Sequence, residues 1–478
     1  MMNNKLQKSI LFVVSGTLAC CHSSLKRNQK ENAPNIIIIF TDDQGYNDLG
    51  CYGAKGFETP NIDSLSSEGM RFTDFYVAAN VCSPSRAALL TGCYPQRVGI
   101  PEVLAPCGPE WTKGRSDIGL NPDETTLPEM LKTKGYATAC IGKWHLGHHK
   151  DFLPVHNGFD EFFGLPYSND MRPETDTTYP PLPLMKGDSV IQTNPDQQYL
   201  TTWYTEYALD FIKRNSSKPF FLYLAHSMPH VPLYVSEKFR GKSQQGLYGD
   251  VIMEIDWSVG QIVTTLKGLG IDKNTLIIFT SDNGPWLVYG NHAGSAYPLR
   301  EGKSTTFEGG QREACIMVWP GKIPVGSECH EVISTIDLLP TIAEITGAEL
   351  PQNKIDGLSI LPILKDEKNA KSPHDAFYFY TGDSLEAIRS GKWKLYFPHK
   401  YRTVTDPGKD GAQGITREAE TGYELYDLEN DISEKINVID QHPGIAEDMK
   451  EKASRFDKEL KYEKRQPGIV LKSKADSI

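Results

Sequence analysis

The run Cys82-Ser83-Pro84-Ser85-Arg86, continuing into Ala87-Ala88-Leu89-Leu90-Thr91-Gly92, puts a thiol, a proline and a guanidinium at the head of a helix-like segment. Pro84 suits a first helical position, where a missing N–H costs nothing, and Ser83 or a neighbour can cap the free amides. Cys82 is then expected just before the helix, where amide donors and the positive end of the dipole favour an anion. Arg86, one turn on, adds a charged fork at the same spot. Such a cysteine has three readings: a small buried hydrophobe, a thiolate nucleophile of phosphatase type, or a precursor oxidised to another group. The spacing from Cys82 to Arg86 is too short for a loop that cradles phosphate, which argues against the second.

Two further stretches carry carboxylates where a sheet would present them. Asn35-Ile36-Ile37-Ile38-Ile39-Phe40 is continuous apolar sequence, the pattern of a parallel strand buried on both faces, and it runs into Thr41-Asp42-Asp43-Gln44-Gly45. Thr275-Leu276-Ile277-Ile278-Phe279 repeats the pattern and ends in Thr280-Ser281-Asp282-Asn283-Gly284. Adjacent carboxylates at the carboxyl end of a buried strand repel unless a cation joins them, and open α/β sheets place their sites at such ends. One Asp-Asp pair alone reads as a turn cap; two matching strand ends lower the odds of coincidence. The oxygens of Asp42, Asp43, Asp282 and Asn283 suit calcium or magnesium better than a soft metal. They leave room for a substrate anion and for a ligand from residue 82.

Basic groups come from three other segments. Lys143 and His145 follow the apolar run 136–141, and two apart on an extended chain they can face one side. Read alone, they are a snorkelling lysine and a hydrogen-bonded histidine. His145 with His148 and His149 makes a His-x-x-His-His cluster, but a zinc pair of that kind usually needs a supporting carboxylate, and the acidic strand ends favour a hard ion. Residues 220–224 form another buried-strand pattern leading to His226 and His230, and Lys303 precedes the Gly309-Gly310 turn.

The rest of the chain must position these groups. At 478 residues it can hold one large α/β domain and a smaller one. Apolar content of 39% and mean hydropathy of -0.41 describe an ordinary globular chain, not a disordered or membrane-spanning one. A net charge of -11 argues against nucleic acid as a partner, so an anionic substrate must be drawn in by a local basic pocket. Residues 1–20, with Lys5 and Lys8 before a short apolar run, read as an export signal of lipoprotein type, with Cys20 or Cys21 lipidated and 21–34 as a tether. The expected location is the periplasm or outer membrane of a bacterium, with membrane contact only through that lipid. The remaining cysteines show no framework spacing and no Cys-x-x-Cys pair.

Taken together, Thr41-Asp42-Asp43-Gln44-Gly45-Tyr46, Gly69-Met70-Arg71-Phe72-Thr73-Asp74-Phe75-Tyr76, the run 82–92, Gly142-Lys143-Trp144-His145-Leu146-Gly147 and Phe307-Glu308-Gly309-Gly310 resemble the type I sulfatases of the alkaline-phosphatase-like superfamily. Within that family they are especially similar to the arylsulfatase A and N-acetylgalactosamine-6-sulfatase groups. The resemblance implies an α/β/α sandwich with a smaller C-terminal domain, and the change to short aromatic strands places the boundary between 35–374 and 375–478. The resemblance also implies that a formylglycine-generating maturase converts Cys82 to formylglycine. One calcium ion is expected on Asp42, Asp43, Asp282, Asn283 and residue 82, with Arg86 in the catalytic set. Lys143 is expected to hold sulfate, His145 to contact the formylglycine, and His230 to contact sulfate and act as general acid, leaving His226 structural. Lys303 is expected to bridge sulfate and leaving oxygen, with Arg300 as a nearby alternative. Ser168 would hydrogen-bond sulfate, and Asn169 and Asp170 would face the sugar. One geminal hydroxyl of hydrated formylglycine would attack sulfur, and the other, deprotonated by His145, would expel sulfate.

Residues 199–213 and 250–269 show helical spacing, and 173–194 reads as a long irregular loop at the substrate mouth. After Pro351 short aromatic strands alternate with glycine and charge, 403–420 reads as a polar loop, and 443–464 as a charged helix. His399 and Arg402 are weak candidates for substrate contact from this region. The expected substrate is a sulfated saccharide, a galactose or N-acetylgalactosamine unit attacked at a chain end. Two other classes compete: a phosphate or phosphonate ester hydrolase on the same fold, and a non-catalytic binder of sulfated glycans. Cysteine at 82 with Pro84 and Arg86 favours sulfate, and the filled motif positions argue against a degenerate site.

Overall fold

The computed structural model describes residues 33–470, so the export signal, most of the tether and the possible lipidation sites lie outside the described residues. Its centre is an eleven-stranded mixed sheet. The strands used below are β1 (Asn35–Thr41), β2 (Met70–Tyr76), β3 (Ala137–Lys143), β4 (Glu161–Leu165), β5 (Pro183–Lys186), β6 (Ser189–Thr193), β7 (Phe220–Ala225), β8 (Thr275–Ser281), β9 (Arg312–Val318) and β10 (Ser327–Cys329). Their order is β10-β2-β9-β8-β1-β7-β3-β4-β5-β6, with Ile333–Ser334 also paired to β2. The stretch from β8 through β1, β7 and β3 to β4 is parallel, whereas β9 runs antiparallel to both neighbours.

β1 is apolar throughout because both of its faces are covered. Ile37 and Ile39 pack with Ile62 and Leu65 of helix α1 (Pro60–Glu68) and with helices Leu200–Asn215 and Gly246–Leu269. Ile36, Ile38 and Phe40 pack on the other side with Leu89 and Leu90 of helix α2 (Cys82–Thr91) and with Leu338 and Leu339. Each fully buried isoleucine contributes about 1.5–3 kcal/mol, so the central strand is anchored before any polar group is counted. Its carboxyl end delivers Asp42 and Asp43, and β8, in register with Thr41 opposite Ser281, delivers Asp282 beside them.

Two glycines let backbones approach closely near this edge. Gly142 has φ +112, and a Cβ there would meet the Ala225 carbonyl oxygen at 1.8 Å. A Cβ on Gly284 would meet the Gly309 carbonyl oxygen at 1.8 Å, so the turn after Asn283 lies directly against the loop that carries Lys303.

The C-terminal part forms a four-stranded antiparallel sheet of Phe377–Thr381, Ser384–Ser390, Trp393–Tyr396 and Glu424–Asp427. Helix Pro443–Tyr462 covers one face through Ala446, Met449 and Ala453. The other face, with Phe377, Phe379 and Tyr396, packs on Tyr76, Ala88 and Phe307 of the larger part. Two expectations need correction. The 403–420 segment is a hairpin of His399–Asp406 and Ile415–Thr421, not a loop, because its threonines and charges alternate across a two-sided ribbon. The 173–194 segment likewise ends in the β5–β6 hairpin, which extends the main sheet at its edge.

Candidate active site

Helix α2 begins at Cys82 itself, with Val81 as N-cap and no side-chain cap. The expectation of a cysteine before the helix and a serine cap is therefore corrected: Ser83 Oγ accepts from the Leu104 amide at 3.0 Å and ties a loop to the helix instead. Arg86 spends its fork on the protein's own carboxylate. Its Nε and Nη2 donate to Asp282 Oδ2 at 3.0 and 2.7 Å, and Nη1 donates to the Lys143 carbonyl at 3.0 Å. A guanidinium with no exposure thus fixes the β8 carboxylate and the end of β3 together.

Cys82 Sγ lies 3.6 Å from Asp42 Oδ1 and 3.5 Å from Lys303 Nζ. Lys143 Nζ donates to Asp42 Oδ2 at 2.5 Å and to Ser168 Oγ at 3.2 Å. Lys303 Nζ bonds both oxygens of Asp43, at 2.6 and 2.8 Å, and Asn283 Nδ2 donates to Asp43 Oδ1 at 2.7 Å. The Asp43 amide donates to Asp282 Oδ1 at 3.1 Å. Asp43 and His145 both hold left-handed backbone, with φ of 63 and 61, conformations that non-glycine residues adopt at a cost and that recur at functional sites.

Donor atoms of Asp42, Asp43, Cys82 and His230 lie within 4.8 Å of one another. Asp282 borders that group through the Asp43 amide, and the buried Asn283 Oδ1 has no partner. Carboxylate oxygens with a free amide oxygen form a hard donor set, and this chemistry fits a divalent cation held by oxygen. Burial pushes the Asp42 carboxyl up, but Lys143, His230 and Arg86 outweigh it and hold its pKa below the usual value. Burial and the Asp42 charge raise Asp282 against Arg86 and the two lysines. A cation between the two would favour the charged form of both.

The buried Cys82 thiol is pushed well above its ordinary pKa, chiefly by loss of water and despite Lys143 and Lys303. It is a protonated thiol here and not a ready thiolate nucleophile. His145 bonds the Leu104 carbonyl through Nε2 at 2.8 Å, so Nε2 carries the proton and the unpartnered Nδ1 keeps a lone pair. Burial, then Lys143 and Arg86, hold its pKa well below 6.5, which keeps the ring neutral. His230 donates from Nδ1 to the Val231 carbonyl at 2.6 Å and turns Nε2 toward Asp43 Oδ2 at 3.5 Å.

The other expected residues divide. Ser168 is in the site through Lys143, and the buried Asp170 Oδ1 has no partner. Asn169 is fully buried, its Nδ2 donating to Gln197 Oε1 and the Pro232 carbonyl, while its Oδ1 has no partner. His226 is fully buried against Ser258 Oγ at 3.3 Å and is structural. Arg300 bonds Tyr401, Tyr426 and the Glu434 carbonyl and belongs to the C-terminal contact, whereas Lys303 reaches Asp43 and Cys82. The His148 and His149 rings lie tilted against each other with centroids 4.4 Å apart, and neither joins the Asp42 cluster. His399 lies beside Glu386, 3.6 Å away, and Arg402 is exposed on the hairpin. Motif reasoning does not reach Trp286, whose ring lies 4.6 Å from Lys303 Nζ; its place three residues after Asn283 is the signal that finds it.

The sulfatase family model matches residues 34–348, and the model for the C-terminal region of aryl-sulfatase matches 372–474. Arylsulfatase A of Bos taurus is 41% identical over 441 residues, covering 86% of this chain and 85% of that protein. N-acetylgalactosamine-6-sulfatase of Sus scrofa is 42% identical over 395 residues, covering 80% and 74%. The solved PsFucS1 sulfatase from Pseudoalteromonas superposes with a TM-score of 0.80 at 29% identity, covering 91% of this chain and 92% of that one. These matches agree with the thiol, carboxylates and lysines gathered at one sheet edge: the chain belongs to the sulfatase family and is a sulfuric ester hydrolase.

Proposed function

We propose that the protein removes sulfate from galactose or N-acetylgalactosamine units at glycan chain ends, using a formylglycine made from Cys82 by a maturase. The carrying observation is the position of the Cys82 thiol, 3.6 Å from Asp42 and 3.5 Å from Lys303, where acidic and basic halves of the site meet. Asp42, Asp43, Asp282, Asn283 and residue 82 would hold one calcium ion. A hydrated formylglycine at residue 82 would supply paired hydroxyls for attack on sulfur and release of sulfate, and the cation would supply charge neutralisation beside it.

The chain's own residues do the rest. Lys143 and Ser168 bind sulfate oxygens, and Arg86 keeps Asp282 aimed at the cation. Lys303 and His230 flank the leaving oxygen, where a proton on His230 Nε2 can pass to the departing alcohol. The neutral His145 offers its Nδ1 lone pair as an acceptor for a hydroxyl proton. Asp170 offers its free oxygen to a sugar hydroxyl. Burial of these groups strengthens every charge contact, since little water screens them.

The sugar class is supported by the name of the N-acetylgalactosamine-6-sulfatase relative. The N-terminal pattern supports export and a lipid anchor, so the enzyme would work on extracellular or periplasmic glycans. The catalytic domain is taken as 35–374 and the smaller domain as 375–478. The test is sulfate release by the matured protein from sulfated galactose and N-acetylgalactosamine monosaccharides and chain-end oligosaccharides, beside matched phosphate esters. Sulfate release from a chain-end galactoside supports the proposal; faster hydrolysis of the phosphate esters would overturn it.

A further inference from the structure

Trp286 stands on the turn after the β8 acidic end and is half-buried, while 281–284 before it are buried. Its ring centroid lies 4.6 Å from Lys303 Nζ and 5.6 Å from the His230 ring. Those are the two side chains that flank the leaving oxygen. An alcohol whose oxygen sits between them brings its carbon skeleton within reach of the indole, whose ring carries the Lys303 ammonium over it. We infer that Trp286 is the stacking surface for the ring of the departing sugar and a specificity-determining residue for cyclic alcohols. This rests on the sulfatase reading above and adds the recognition of the leaving group.

The ring is held in place from two directions. Tyr289 packs edge-on against it with centroids 4.9 Å apart, and the Tyr289 hydroxyl accepts from Gln413 Nε2 at 2.7 Å. Gln413 belongs to the turn of the C-terminal hairpin, whose Gly408 and Gly414 amides donate to the Val288 carbonyl at 2.9 and 2.8 Å. Asn291 Nδ2 adds a bond to Asp410 Oδ1 at 2.9 Å. The segment that carries Trp286 is thus clamped by the smaller domain. A fixed aromatic face gives up little freedom on binding and offers large apolar area to the C–H side of a pyranose. The polar hydroxyls of that sugar remain free to bond elsewhere in the mouth.

The experiment uses the matured full chain and its Trp286→Ala, Trp286→Leu and Trp286→Phe variants. It measures kcat/KM on the sulfated monosaccharide that the unaltered protein cleaves best. Inhibition by inorganic sulfate is measured alongside, as a probe of the anion pocket alone. Trp286→Ala should lower kcat/KM about 10- to 100-fold, with Trp286→Phe recovering most of the loss and sulfate inhibition held within about twofold. Trp286→Leu, which keeps bulk without a flat face, should resemble Ala, and it stands in if the Ala variant fails to fold. A loss below about threefold in both the Ala and Leu variants, or inhibition weakened in step with kcat/KM, would overturn the inference. An unaltered protein that releases no sulfate from any sugar would instead strike the sulfatase reading beneath it, and this inference with it.

Discussion

Two buried clusters of charge are linked by the segment from Lys303, which belongs to one, to Glu308, which belongs to the other, and they are built differently. In the first, Lys143 and Lys303 answer Asp42 and Asp43, yet Asn283 Oδ1, His145 Nδ1 and both polar atoms of Gln44 are left without partners. In the second, Glu308 takes Lys394 at 2.7 Å and Arg312 at 3.0 Å, while Asp74 takes Arg312 at 2.8 Å and Arg389 at 2.6 Å. Glu434 completes it, donated to by the Glu308 amide at 2.9 Å and by the Tyr396 hydroxyl. A buried polar atom without a protein partner costs free energy unless water, an ion or a ligand satisfies it. The second cluster pairs its charges with one another and joins the two domains; the first leaves polar atoms unpaired beside its carboxylates.

Substitutions should separate the clusters by what they damage. The largest expected effect is on activity: Cys82→Ala should lower kcat at least about 10⁴-fold while thermal unfolding barely moves, since the thiol is small and its two contacts, to Asp42 and Lys303, are long. A circular-dichroism melt beside the rate would check both halves. Lys143→Ala should cost kcat/KM about 10²–10³-fold, the usual loss when one charged donor is removed from a transition state. Its kinetics should show the loss on every sulfated sugar alike.

Glu308→Gln should invert that pattern. It leaves Lys394 and Arg312 without their buried counter-charge and should cost about 3–5 kcal/mol of stability in a urea titration, with activity per folded molecule largely kept. Acid gives the same test without mutation. Burial raises the Glu308 carboxyl, but Lys394, Arg312 and Arg389 prevail and hold it at about 2, below its ordinary value. Its stabilising contribution is therefore complete above that ordinary value and should fade as pH drops toward 2, and Glu308→Gln should flatten that part of the stability curve. The smallest effect is cation removal. Chelation should lower unfolding free energy by about 2.7 kcal/mol relative to protein at calcium one hundred times its dissociation constant, and Asn283→Ala should shrink the difference.

Much of this was legible in the residues. The strands of β1 and β8 announce themselves because burial on both faces demands unbroken apolar sequence, and the acidic turns follow at once. The hairpins at 183–193 and 399–421 do not: the first has only four residues in its inner strand, flanked by proline and glycine, and the second is a ribbon whose polar residues fall on both faces. Helix α2 starts at Cys82 because packing, not a capping side chain, sets its first turn. Arg86 was legible as a charge at the right spacing, but its partner Asp282 is 196 residues away and only the fold supplies it. Trp286 escapes for the same reason: its meaning depends on Lys303 and His230, which come from separate loops.

The most direct test is peptide mass spectrometry of residue 82 in maturase-coexpressed protein, with sulfate release measured on the same preparations across a range of conversion. The account predicts that Cys82 loses its sulfur and becomes an aldehyde, and that activity rises in proportion to the converted fraction. Full activity in protein whose Cys82 remains a thiol would contradict it.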